Sequence, residues 1–268
     1  MKRFILSTPP DPEGLIRLYK EDYHYLVRVR RLKAGMCFEA ALPGGTETHV
    51  RILSVQILSI EDDILIGKCL GRPENRLPSL PQLPPLALYQ GLTKGSKMDL
   101  IIRQAAEGEV SLVAPFESEY STVRLKDAHS PSAEAEKVKR WERIVREARQ
   151  QSGSTIETKV LPPCSIDALF ESWESLKNKY KMPIGILLHQ TPLENGSFHD
   201  YLDKNPDFVA LAVGPEGGFS PGEVSRFLAA GWKPLVMGNT VLRTETAALY
   251  GTAVIRIILW EKKRGRQA

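Results

Sequence analysis

The sequence predicts an α/β protein in two parts. A small N-terminal β-barrel covers residues 1–72 and a larger α/β domain covers 86–268, joined by a proline-rich linker at 73–85. Three observations predict this. The run Gly71 to Pro85 holds five prolines; proline fixes φ and lacks a backbone donor, so neither a helix nor a central strand runs through it. Before that run, strand-length segments alternate with turn residues. After it, short apolar runs are each followed by a loop and helix-like sequence, the pattern of strands buried on both faces of a mostly parallel sheet.

Taken in order, the barrel strands are Met36 to Leu42, Val50 to Leu58 and Ile64 to Leu70, punctuated by turns at Pro43-Gly44-Gly45 and Glu61-Asp62-Asp63. In the larger domain the buried strands are Leu86 to Gln90, Ile184 to Leu188, Phe208 to Val213 and Pro234 to Met237. Ala133 to Gln151 reads as a helix, with Trp141, Ile144, Val145 and Ala148 on one face and Lys139, Arg143 and Arg146 on another. Ser220-Pro221-Gly222-Glu223 is a capping box with proline at the first helical position, and Gly231 closes that helix. The last helix runs from about Glu245 to Trp260.

Composition bounds the function classes. The 268 residues are 42% hydrophobic and 25% charged, ordinary globular usage, which excludes a mostly disordered chain and a collagen-like repeat. No apolar stretch approaches the ~20 residues that span a bilayer, and the N-terminus has no apolar run of signal-peptide length. A soluble cytoplasmic protein without a membrane partner is expected. Cys37, Cys69 and Cys164 lie far apart and suggest neither a disulfide framework nor a metal site. A net charge of +4 permits nucleic acid as a partner.

Two segments carry chemistry. Gly214-Pro215-Glu216-Gly217-Gly218-Phe219-Ser220 follows a buried strand and precedes a capped helix. Its glycines allow a ligand close to the backbone, at the carboxyl ends of strands where open α/β sheets bind ligands. It matches neither G-x-G-x-x-G nor a P-loop, so a dinucleotide or triphosphate is not indicated; a tight structural turn is the plain alternative. Gly238-Asn239-Thr240-Val241-Leu242-Arg243-Thr244-Glu245-Thr246-Ala247 also joins a strand to a helix. Its plain reading is an N-cap by Thr244, with Glu245 favourable near the positive end of the helix dipole.

Together these segments resemble the SPOUT superfamily of knotted RNA methyltransferases, and within it the RsmE family, which methylates N3 of a uridine in small-subunit (16S) ribosomal RNA. The resemblance rests on G-P-E-G-G-hydrophobic-S at 214–220 and L-R-T-E-T-A at 242–247. Upstream, His24-Tyr25-Leu26 and Val29-Arg30-Arg31-Leu32-Lys33-Ala34-Gly35 look like the family's H-H-L…V-L-R…G stretch, and Lys94-Gly95-Ser96-Lys97-Met98-Asp99 is similar to its K-G-x-K-M-E. The resemblance implies a PUA-like RNA-binding barrel, a trefoil-knotted C-terminal domain and a homodimer acting on 16S ribosomal RNA or the small ribosomal subunit. It implies that S-adenosylmethionine is held by Leu188 and His189, by Gly214, Pro215, Glu216, Gly217 and Gly218, and by Met237, Gly238, Asn239, Val241 and Leu242. Three usually basic family positions are neutral here, at Gln104, Tyr120 and Ser154. These departures bear on the RNA substrate and keep two rivals open: the same fold acting on another RNA nucleotide, and a non-catalytic RNA-binding homologue.

For that reaction, uridine N3 must lose a proton before it becomes a good nucleophile. Arg243 is the candidate stabiliser of the resulting anion, because its guanidinium stays charged and offers a fork of donors. Glu245 is a candidate base, with fixing Arg243 or the helix start as its alternative role; Glu216 is expected to order its own loop. Arg28, Arg30, Arg31 and Lys33, with Lys94 and Lys97, are candidate phosphate contacts, against the alternative of a solvated face. No His/Asp/Ser or metal spacing supports a catalytic role for His24 or His189.

Overall fold

A computed structural model describes residues 4–6, 8–42, 52–71, 82–125, 131–154, 156–190, 192 and 196–265. The expected turn at Pro43-Gly44-Gly45 and the linker from Pro73 through Pro81 lie outside the described residues. The chain divides into two compact units, Met1–Leu80 with Arg149–Glu157, and Pro81–Ala148 with Thr158–Ala268.

The first unit is a five-stranded sheet of order β1-β3-β4-β5-β2. Its strands are β1 (Phe4–Ile5), β2 (Leu15–Leu18), β3 (Cys37–Ala41), β4 (Ile52–Glu61) and β5 (Ile64–Cys69), with helix α1 (Lys20–Tyr23) running into a π-helical turn at His24–Val29. β1 pairs parallel with β3, and the other ladders are antiparallel. Alternate residues Phe38 and Ala40 on β3, and Val55 and Ile57 on β4, point into one core with Phe4, Leu18, Leu26 and Leu65, the period of two expected of half-buried strands. Asp62 and Asp63 join β4 to β5 with φ of 49° and 58°, the left-handed pair that matches hairpin twist.

The second unit holds β6 (Leu86–Gly91), α2 (Lys97–Glu107), β7 (Leu112–Glu117), α3 (Pro131–Ser152) as far as Ala148, β8 (Lys159–Val160), β9 (Cys164–Ser165), α4 (Ile166–Lys179), β10 (Pro183–Leu188), α5 (Phe198–Leu202), β11 (Phe208–Val213), α6 (Pro221–Ala229), β12 (Lys233–Leu235) and α7 (Thr244–Gly265). The strands make one sheet of order β12-β10-β11-β6-β7-β8, with β9 also on β7, and every ladder is parallel. Leu86 and Leu88 of β6 join Val209, Leu211 and Ile186 in a core closed by α2, α3 and α7. Ala87 and Tyr89 face the other way, with Ala210, Ala212, Trp173 of α4 and Phe227 of α6. Both faces are therefore covered, which explains why β6 and β11 are buried at every position. Ser220 and Glu223 make the capping box at the start of α6, with Pro221 in its first turn.

The strand expected over Pro234 to Met237 is β12, Lys233–Leu235. Its ladder to β10 ends at Leu235, and Val236 and Met237 turn out of the sheet. Strands β7, β8 and β9 and helices α2, α4 and α5 extend the unit beyond the elements expected from sequence.

Candidate active site

The strand order brings β6, β11, β10 and β12 side by side, so the loops leaving their carboxyl ends converge. They enclose a cavity of about 340 Å³ walled by 188–190 at the end of β10, by 213–216, Gly218 and Phe219 at the end of β11, and by 235–238 and 240–244 at the end of β12.

The glycine loop is shaped by close packing. Gly214 and Pro215 are buried, and a Cβ on Gly91 at the end of β6 would lie 2.5 Å from the Pro215 ring. Gly218 donates its N–H to the Pro215 carbonyl at 3.0 Å and takes φ +73°, and apart from its chain neighbours no atom of the described residues lies within 4 Å of where a Cβ would stand. Gly217 packs on Tyr120, whose Cβ would lie 2.8 Å from a Cβ at 217. Phe219 then enters the core, stacked on Phe116. Buried Glu223 accepts from Ser118 Oγ at 2.9 Å, the Glu119 N–H at 2.8 Å and the Ser220 N–H at 2.9 Å, tying 118–119 to the loop's end.

The second loop leaves β12 and enters α7 at Thr244. Gly238 has φ +113° and open space at its Cβ position. The Arg243 carbonyl accepts the first helical bond, from Ala247 N–H at 2.8 Å. The plain reading of Thr244 as an N-cap is corrected here. It is the first residue of α7, and its hydroxyl donates to the Gly214 carbonyl at 2.6 Å while accepting from Gln90 Nε2 at 2.9 Å.

Charge sits at the cavity wall on Lys97, Glu216 and Arg243. Lys97 Nζ lies 2.7 Å from Glu216 Oε1, which also accepts the Lys94 N–H at 3.4 Å. Burial alone would raise the Glu216 pKa, but the Lys97 hydrogen bond, backbone N–H groups and the Lys97 charge outweigh it and hold the carboxyl below its usual range.

Of the residues expected around a cofactor, Leu188, His189, Gly214, Pro215, Glu216, Gly218, Met237, Gly238, Val241 and Leu242 line the cavity, and Arg243 lines it with them. Gly217, turned to Tyr120, and exposed Asn239 lie off the wall. Glu245 is half-buried one residue into α7, also off the wall, and its Oε2 is buried without a hydrogen-bond partner among the described residues. Sequence reasoning gave no cofactor role to Gln190, Val213, Leu235 and Val236, which flank the motifs, or to Phe219, Thr244 and Ala247 within them, although all of these line the cavity. Of the basic candidates, Lys97 lines the cavity and Lys94 is exposed in the same unit. Arg28, Arg31 and Lys33 are exposed in the first unit, and half-buried Arg30 has one guanidinium nitrogen buried without a hydrogen-bond partner among the described residues. Gln104 is half-buried on α2, Tyr120 exposed and Ser154 buried.

Residues 81–256 match the RNA methyltransferase domain family. The chain belongs to this family. Among similar family proteins, the ribosomal RNA small subunit methyltransferase E of Synechocystis sp. is 29% identical over 265 residues, covering 96% of this chain and 78% of that one. Its counterpart in Aquifex aeolicus is 34% identical over 174 residues, covering 63% and 67%. The crystal structure of the Neisseria gonorrhoeae ribosomal RNA small subunit methyltransferase E bound to S-adenosylmethionine shares the fold, with a TM-score of 0.73, 22% identity and coverage of 96% and 98%. Among the described residues, no helix is long and apolar enough to cross a membrane.

Proposed function

We propose that the chain is an S-adenosylmethionine-dependent methyltransferase that modifies N3 of a specific uridine in 16S (small-subunit) ribosomal RNA, working in the cytoplasm. One observation carries the reading: a single cavity collects the G-P-E-G-G loop and the segment bearing Arg243. The relatives' names support the class of substrate. The cavity fits the cofactor on two counts. Leu188, Phe219, Leu235 and Leu242 give it apolar walls, and the open space over Gly218 and Gly238 leaves backbone accessible where any side chain would intrude. The binding residues assigned are those of the three loops that line the cavity. When bound, the cofactor supplies an electrophilic methyl group.

The chain's own residues do the rest. Arg243 presents a permanent positive charge for the uridine anion spread over O2 and O4. Glu245 is the nearest candidate in sequence for accepting the N3 proton, directly or through water. Lys97, Lys94 and the 28–33 cluster give sequence-independent phosphate contacts. The same proposal includes a PUA-like character for the first unit and a trefoil knot in the second. It also includes a homodimer: Leu249, Tyr250, Ala253 and Ile257 make an exposed apolar stripe at helical spacing on α7, which a second copy would cover.

A second reading, methylation of a different RNA nucleotide by the same site, is favoured by Gln104, Tyr120 and Ser154 replacing basic residues. Purified protein incubated with methyl-labelled cofactor and small subunits from cells lacking it decides between them. Label at uridine N3 supports the first reading and label on another nucleotide supports the second. No transfer, with no cofactor binding by calorimetry, overturns both.

A further inference from the structure

Gln90 is the penultimate residue of β6 and belongs to neither motif. It is fully buried. Its Nε2 donates to the Gly91 carbonyl at 3.0 Å and to Thr244 Oγ1 at 2.9 Å, and stands 3.5 Å from the Gly214 carbonyl. Thr244 Oγ1 passes the chain on by donating to Gly214 O at 2.6 Å. Gly214 opens the glycine loop, and Thr244 directly follows Arg243. The side-chain amide thus joins the two loops through a relay in which each bond polarises the next, away from water. Gly91 beside it works differently: its missing side chain is what lets Pro215 seat against β6, since a Cβ would meet the proline ring at 2.5 Å.

We propose that Gln90 is a positioning residue for methyl transfer, setting the register of Arg243 against the glycine loop, and that Gly91 sets the height of the glycine loop itself. The proposal rests on the cofactor-and-RNA reading of this cavity. No group of Gln90 lines the cavity, so its effect passes through Thr244 and Gly214. The two neighbours therefore have different kinetic signatures. Loss of the Gln90 amide frees the Arg243 segment while Pro215 stays seated, so the chemical step suffers. A Cβ at Gly91 lifts Pro215 and distorts the cofactor wall, so binding suffers.

The test compares wild type, Gln90→Leu, Thr244→Val, their double variant and Gly91→Ala. Single-turnover methyl transfer to small subunits is measured with both substrates saturating, cofactor affinity by calorimetry, and thermal unfolding alongside. Gln90→Leu is expected to slow transfer by about 10- to 100-fold, the scale of a small misplacement of reacting groups, with cofactor affinity changed less than about threefold. The double variant is expected to be no slower than about the worse single variant, because the two residues act as one unit. Gly91→Ala is expected to weaken cofactor binding at least about tenfold with a smaller loss of saturated rate; should it fail to fold, the Gln90 and Thr244 variants still decide. Full speed in folded Gln90→Leu, multiplicative losses in the double variant, or rate losses that merely track falling thermal stability overturn the proposal. A wild type that neither binds cofactor nor transfers a methyl group overturns the functional reading instead.

Discussion

Gly218→Val separates the two duties of the glycine loop, folding and ligand access. Gly218 sits at φ +73°, and apart from its chain neighbours no atom of the described residues lies within 4 Å of its Cβ position, so the substitution carries left-handed strain and no packing clash. That strain is roughly 1–2 kcal/mol. At about 2–4 °C per kcal/mol for a unit of this size, the melting temperature should fall by about 2–8 °C and the fold should survive. Binding should suffer more. The isopropyl group enters the space of a cavity holding about 340 Å³ and blocks the backbone approach that only glycine permits. Losing even one buried polar contact costs about 1–3 kcal/mol, which is about 5- to 150-fold in affinity, and steric exclusion adds to it. Gly35→Val is the internal control: Gly35 has φ +86° and equally open surroundings, but lies in the first unit. It should lose similar stability and bind cofactor normally. Calorimetry with S-adenosylmethionine beside thermal unfolding reads both quantities. Wild-type affinity in folded Gly218→Val, or an equal affinity loss in Gly35→Val, would refute the assignment of this loop.

Arg243→Ala should cut the single-turnover rate by about 10²–10³ with smaller effects on binding; Arg243→Lys should recover little, and raising the pH should recover part, as more uridine is already deprotonated. A defect equally severe at every pH would make Arg243 a positioning residue. Neutralising Arg28 and Arg31 should flatten the dependence of RNA affinity on salt without touching cofactor affinity, and an unchanged slope in filter-binding titrations would reduce the cluster to a solvated face. Glu223→Ala orphans the Ser118 hydroxyl and the Glu119 and Ser220 N–H groups; chemical denaturation should show a loss of about 2–4 kcal/mol. Glu216 is held below the usual carboxylate range, so its contribution is full above that range and fades as pH falls through the lowered folded value; Glu216→Gln should flatten the acid limb of the melting-temperature profile. Ile257→Asp should yield monomers by sedimentation if α7 joins two copies.

The α/β class was legible because β6, β10 and β11 are short apolar runs between polar loops, and burial on both faces leaves that signature. The capping box was legible because its partners lie three residues apart. β7 was harder: Pro115 interrupts Leu112–Glu117, yet the strand pairs with β6 on one side and with β8 and β9 on the other. β9 is only two residues long, too short to leave a pattern. At the cavity, glycines and Arg243 stood out by residue type, whereas Thr244 looked like a cap because nothing local names Gly214, thirty positions away, as its acceptor. Gln90 left no trace, since its partners Gly214 and Thr244 lie 124 and 154 positions off. Contacts made by tertiary folding alone are where the sequence falls silent.

The proposed reaction is methylation of one uridine at N3 in small-subunit ribosomal RNA. Nucleoside mass spectrometry of that RNA from cells lacking the protein, with and without the gene restored, tests it most directly. N3-methyluridine should disappear from that RNA and return with the wild-type chain but not with Arg243→Ala. Unchanged N3-methyluridine, with a different methylated nucleoside missing or none missing, would contradict it.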